Sequence, residues 1–164
     1  MAIANPVVQR WADSIALLVI TLWVGSLWGV GCLAVPVLFQ TLPDKMLAGM
    51  LTGKMFTLVT CVGMASASYL LIYAVADSGK QALRQTFFRV AAIMLLLTLV
   101  GEYYFQPVMA DLKAQALPLD VMHSAFADRF KMLHGIASSI YLVQSLLGIA
   151  LALNFKLHKV TLVS

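Results

Sequence analysis

The chain alternates long apolar runs with short polar joins. Charged residues are absent from positions 14–42, 55–76 and 132–155, and the stretch 90–110 is equally apolar apart from Glu102. Each run meets the roughly 20 apolar residues that a helix needs to cross the roughly 30 Å hydrocarbon core. The pattern predicts four membrane helices, at about 12–39, 55–76, 90–109 and 132–155, in a single integral membrane domain with both termini on one side. The expected fold class is all-α, a four-helix transmembrane bundle with a short interfacial helix before the last span. That helix is read from Leu119, Met122, Phe126, Phe130 and Leu133, which follow Pro118 at helical steps of three and four. Continued straight to Phe155 it would measure about 54 Å, so a bend is expected between Lys131 and Gly135, with the apolar stripe on the membrane surface.

Composition supports the same solvent. The hydrophobic set makes up 62% of residues and charged residues 11%, against roughly 25% charged in ordinary soluble domains. A soluble monomer could not cover its apolar surface with so few charges. The net charge is +4 and the sequence pI about 9.2, but the bases are scattered beside apolar runs, the pattern of snorkelling anchors. Nucleic acid is therefore not an expected partner; the bilayer is. The first run is longer than a signal-peptide apolar region, and Gly29 stands where a lipoprotein signal usually has a Leu-like residue, so it is read as a retained span. Cys32 and Cys61 lie inside apolar runs and read as packing residues. Lys/Arg counts decide orientation. Arg10, Lys80, Arg84, Arg89, Lys156 and Lys159 fall on the side of the termini, against Lys45, Lys54, Lys113, Arg129 and Lys131 opposite, which places both termini in the cytoplasm.

Within the spans, small residues four apart allow close helix approach. Gly25 with Gly29, Gly63 with Ala67 and Gly148 with Ala152 are the candidate packing positions, inside the bundle or against a second copy. Glu102 is the costly group of the third span: in hydrocarbon it has to face the interior, find a partner or carry a proton. If Pro107 ends that helix, Glu102 lies about one turn from the boundary. Gln106 and His134 are then at its level, with Gln40 nearby. On the last span His134, Ser138, Tyr141 and Ser145 form one polar stripe, either cross-linking helices or lining a hydrated path. Glu102, Gln106, His134, Ser138 and Tyr141 are thus the candidate polar intramembrane cluster. Tyr103 and Tyr104 fit one aromatic belt, and Trp11 and Tyr73 the opposite one.

His134 is the only histidine clearly inside a span, which speaks against a bis-histidine haem site. Nine methionines, with Met46, Met50 and Met55 nearest to a cluster, raise copper chemistry, and equally suit lipid-facing positions. No phosphate loop, nucleophile elbow, HExxH motif or paired carboxylates at an enzyme-like spacing occurs, so neither catalysis nor a cofactor is expected.

Trp23-Val24-Gly25, Val35-Pro36-Val37-Leu38-Phe39, Leu42-Pro43, Ala48-Gly49 and Gly53-Lys54-Met55-Phe56 resemble a family of small bacterial integral membrane proteins of unassigned function. This is the family related to eukaryotic transmembrane protein 205. Tyr104, Pro107 and the stretch from Phe130 through Leu133-His134 agree more loosely. The resemblance implies a four-helix membrane protein and transfers no catalytic residues. A fainter similarity to the four-helix copper-resistance membrane domain would give His134 the central role.

Three roles remain: a non-catalytic structural or accessory protein of a bacterial inner membrane, acting as a homo-oligomer or a subunit of a membrane complex; a small proton or metal-cation transporter working through Glu102 and His134; and a haem- or copper-linked redox protein.

Overall fold

The computed structural model describes residues 5–117 and 119–163. These residues are helical almost throughout and contain no strand. The elements are α1 (Pro6–Trp28), α2 (Val35–Thr41), α3 (Lys45–Ser78), α4 (Thr86–Val100), α5 (Gln106–Ala116) and α6 (Ala127–Val163). Two π-helical turns, Gly29–Ala34 and Gly101–Phe105, weld α1 to α2 and α4 to α5. Four continuous rods result, Pro6–Thr41, Lys45–Arg84, Thr86–Ala116 and Ala127–Phe155, each long and apolar enough to cross a membrane.

Local chemistry explains the ends. Pro6 opens α1 behind Asn5, whose side chain accepts from the Val7 N–H. Asp44 caps α3 by accepting from the Met46 and Leu47 N–H groups. The α3 terminus passes through Gly79 at φ 56°, a left-handed conformation that glycine adopts without a Cβ clash.

The spans form an up-and-down ring. α1 packs against α3 and α6, and α4 packs against the same two from across the bundle. Trp23, Ile20, Leu27, Leu70, Phe87, Met94 and Leu151 fill the centre. Leu18, Leu58, Ile72, Leu96 and Leu142 face outward on all four spans. An outer surface this apolar has hydrocarbon as its solvent.

At the end away from the chain termini, here called distal, a second core joins α5 to the start of α6. Phe105, Leu112, Ala116, Val121, Phe130 and Leu133 are buried together there. This core changes the last connection. α6 runs as one uninterrupted helix through Lys131–Gly135, where a bend was expected, with Phe130 and Leu133 buried against α5. Before it stands one 3-10 turn, Val121–His123, capped by Asp120; Pro118 lies outside the described residues. At 37 residues α6 is about 55 Å long, so the bundle extends beyond the hydrocarbon. Pro107 likewise does not end the third span. The helix passes it through the π turn and runs on to Ala116.

The glycines divide into two groups. A Cβ on Gly63 would lie 2.7 Å from the Trp23 Nε1, and one on Gly148 would lie 3.1 Å from Val24. Added to Gly25 or Gly29, it would meet nothing within 4 Å. We therefore expect Gly63→Ala to destabilise the detergent-solubilised protein by about 1–3 kcal/mol through overpacking against the fixed indole. Gly25→Ala should be neutral or stabilise by up to about 1 kcal/mol. Thermal unfolding of the two variants side by side checks the contrast.

Candidate functional site

In an apolar bundle, the polar side chains that enter the interior are the ones that can carry function. The stripe expected on α6 is present along the helix but divides between two environments. His134 and Ser138 are exposed at the bundle surface. The His134 ring stacks on Phe130 at 5.8 Å, and the Lys113 Nζ lies 5.5 Å from the centre of that same Phe130 ring. Tyr141 turns inward. Its hydroxyl donates to the Leu27 carbonyl at 2.5 Å, its ring meets Phe56 edge-on at 5.0 Å, and it fills the space that a side chain on Gly31 would need. The Ser145 hydroxyl donates to the Tyr141 carbonyl, and the Ser145 carbonyl accepts from the Trp28 indole.

Glu102 and Gln106 are half-buried in the distal half of the third span. Glu102 sits in the π turn, where the Gln106 N–H reaches back five residues to the Gly101 carbonyl. Its Oε2 is buried and has no hydrogen-bond partner. No hydrogen bond among the described residues joins Glu102 or Gln106 to His134, Ser138 or Tyr141. The five residues thus fall into a Glu102–Gln106 turn, a surface pair and an interhelical tyrosine. Gln40 is exposed at the end of α2, and Cys32 and Cys61 face outward and are not packed in the core. Tyr103 and Tyr104 also face outward. Among the described residues no group of three or more His, Cys, Asp or Glu could hold a metal ion.

Two polar clusters were missed from sequence. Midway through the bundle the Gln144 Nε2 donates to Thr98 Oγ1 at 2.5 Å, and the Thr98 hydroxyl donates to the Met94 carbonyl at 2.8 Å. Gln144 lies beside the stripe of α6, so helical stepping from His134 passes over it. At the end carrying the termini, Gln9 donates to Asp13 at 3.0 Å and to Asp77 at 2.8 Å. The Tyr73 hydroxyl donates to Asp13 at 2.6 Å, and the Tyr69 hydroxyl donates to the Ala12 carbonyl at 3.2 Å. Tyr73 is therefore a buried interhelical link and not a member of an aromatic belt, whereas Trp11 is exposed. The available signal was the placement of Asp13 and Asp77 at the same end of adjacent spans, which bury cheaply only if hydrogen-bonded. One apolar groove of about 510 Å³ opens between α4 and α6, lined by Leu97, Met132, Gly135, Ile136, Ser139, Ile140 and Val143.

This all-α, four-span architecture defines a multi-pass membrane protein. The domain model described as a domain of unknown function (DUF4149) matches residues 18–118, well over half of the chain, and the protein belongs to that family. No curated protein and no solved structure matches the chain.

Removing one link should show its weight. Tyr73→Phe keeps the ring against Phe155 and deletes the bond to Asp13. We expect a loss of about 1.5–3 kcal/mol, the range for a hydrogen bond to a charged group, read as a lowered midpoint in detergent unfolding.

Proposed function

We propose that the protein is a non-catalytic structural or accessory component of a bacterial inner membrane, with both termini in the cytoplasm, acting as a homo-oligomer or as a subunit of a membrane complex. The observation that carries this reading is the use made of the interior polar groups. Tyr141, Gln144, Trp28, Tyr69 and Tyr73 each send a hydrogen bond to a neighbouring helix. Groups committed in this way hold helices together, the role of polar side chains where lipid supplies no hydrophobic drive for association. Gly25 and Gly29 support the partner. They leave a shallow strip on the lipid-facing side of α1 where another helix can approach closely. Kinship with the group around eukaryotic transmembrane protein 205, on the residues quoted above, belongs to the same proposal, as does the absence of a cofactor.

The test is reconstitution. Proteoliposomes loaded with a pH-sensitive dye should show proton and potassium leakage no greater than empty liposomes. The purified protein should show no haem absorption and no stoichiometric transition metal by elemental analysis. Leakage that Glu102→Gln abolishes would replace the proposal with transport, and a Soret band would replace it with redox chemistry.

Orientation has its own check. A fluorescent protein fused after Ser164 should light up in the cytoplasm, while alkaline phosphatase at the same place should stay inactive. The reverse pattern would invert the topology.

A further inference from the structure

Glu102 is the interior acid that the interhelical bonds leave over. It lies thirteen residues beyond Arg89, about 20 Å along the helix, and so within the depth of a roughly 30 Å hydrocarbon core. A buried carboxylate oxygen without a donor is costly at such a depth, and its Oε2 has none. The ion pair of Lys131 with Asp128 lies elsewhere. The backbone adds a second acceptor. Gln106 serves the carbonyl five residues back, but the next residue is Pro107, which has no N–H to offer the Glu102 carbonyl.

The other π turn supplies a comparison. Gly31 stands five residues before Pro36 as Glu102 stands five before Pro107, and there the space is filled by the Tyr141 ring. A π turn ahead of a proline in this fold therefore requires no acid.

We propose that Glu102 and the backbone carbonyl of its π turn bind a monovalent alkali cation. Oxygen-only acceptors select a hard cation. A single carboxylate neutralises one positive charge, whereas a divalent ion would leave an uncompensated charge in low dielectric. Half-unwound backbone within a span offers carbonyls to such ions, and π turns recur at functional sites.

The experiment is thermal unfolding of the detergent-solubilised full chain in sodium, potassium or choline chloride at equal ionic strength. Sodium or potassium should raise the midpoint by about 2–4 °C over choline, the shift for a site filled several-fold above its dissociation constant. Glu102→Gln should remove the difference. Pro107→Ala, which restores an N–H facing that carbonyl, should reduce it. If either variant fails to fold, broadening of the sodium NMR line by the native protein, reversed by potassium, supplies the same answer. Equal midpoints in choline and sodium together with an unbroadened sodium line, or a shift that survives in folded Glu102→Gln, would overturn the proposal. So would stabilisation by magnesium or calcium alone, or by acidification without cation dependence.

Discussion

A polypeptide in hydrocarbon has to satisfy its backbone hydrogen bonds from within, and at Pro36 and Pro107 this chain lacks the donor to do so. The α register would press each proline ring against a carbonyl four residues back. Widening one turn to the five-residue register relieves that clash without breaking the rod, and the Val35 and Gln106 N–H groups make those wider bonds. Much of the distal half of the bundle depends on this. The first turn presents Gly31 to the Tyr141 ring. The second turns Glu102 partly inward while Tyr103 and Tyr104 face out, and directs α5 to where it buries Phe130 and Leu133.

Cohesion between the rods has to come from shape and polar contacts, because lipid tails are as apolar as leucine. Both appear at matched places. Trp23 sits against Gly63, and Val24 and Met94 sit against Gly148, so glycines on α3 and α6 receive large neighbours at the centre. The Gln9–Asp13–Tyr73–Asp77 cluster fastens the end with the termini, and Tyr141 and Gln144 fasten the helices further along. A polar group committed to a neighbouring helix makes sliding or rotation costly, since it would be left unpaired in low dielectric.

The four spans were legible because a membrane helix needs only a long apolar run, a property of composition. Span ends were less so. The rods exceed the apolar windows at both ends, since Lys45, Asp111 and Lys131 continue helices outside the hydrocarbon. Gly63 and Gly148 were readable as packing positions by their spacing, yet Gly25 and Gly29 have the same spacing and face outward; rotation about the helix axis is not encoded in small residues alone. The polar stripe failed as a unit for a related reason. Steps of four, three and four keep residues close on one helix, but only the neighbouring helices decide that Tyr141 enters the bundle and His134 meets Phe130. Pro107 misled because a proline reads as a helix end, whereas a π turn lets the helix absorb it.

The two helical hairpins follow one plan, and their differences locate what is special to this chain. Each begins with a span widened by a π turn ahead of a Pro-Val pair, Pro36-Val37 or Pro107-Val108. In sequence each continues with Leu42-Pro43-Asp44 or Leu117-Pro118-Leu119-Asp120, and Asp44 and Asp120 each cap the helical turn that follows. Each enters the return span through Lys54-Met55-Phe56 or Lys131-Met132-Leu133. The ring order, with α1 and α4 opposite and each touching α3 and α6, is the arrangement that two parallel repeats about an axis along the membrane normal would give. Against that shared frame the departures gather at the distal end. α2 has 7 residues where α5 has 11, and that extra length carries Leu112 and Ala116 into the second core. Five residues before the prolines, the first hairpin has a glycine closed by a tyrosine and the second has a glutamate with an unpartnered oxygen. A bundle needing only cohesion could repeat the glycine, so at this position the two hairpins differ in chemistry as well as in length.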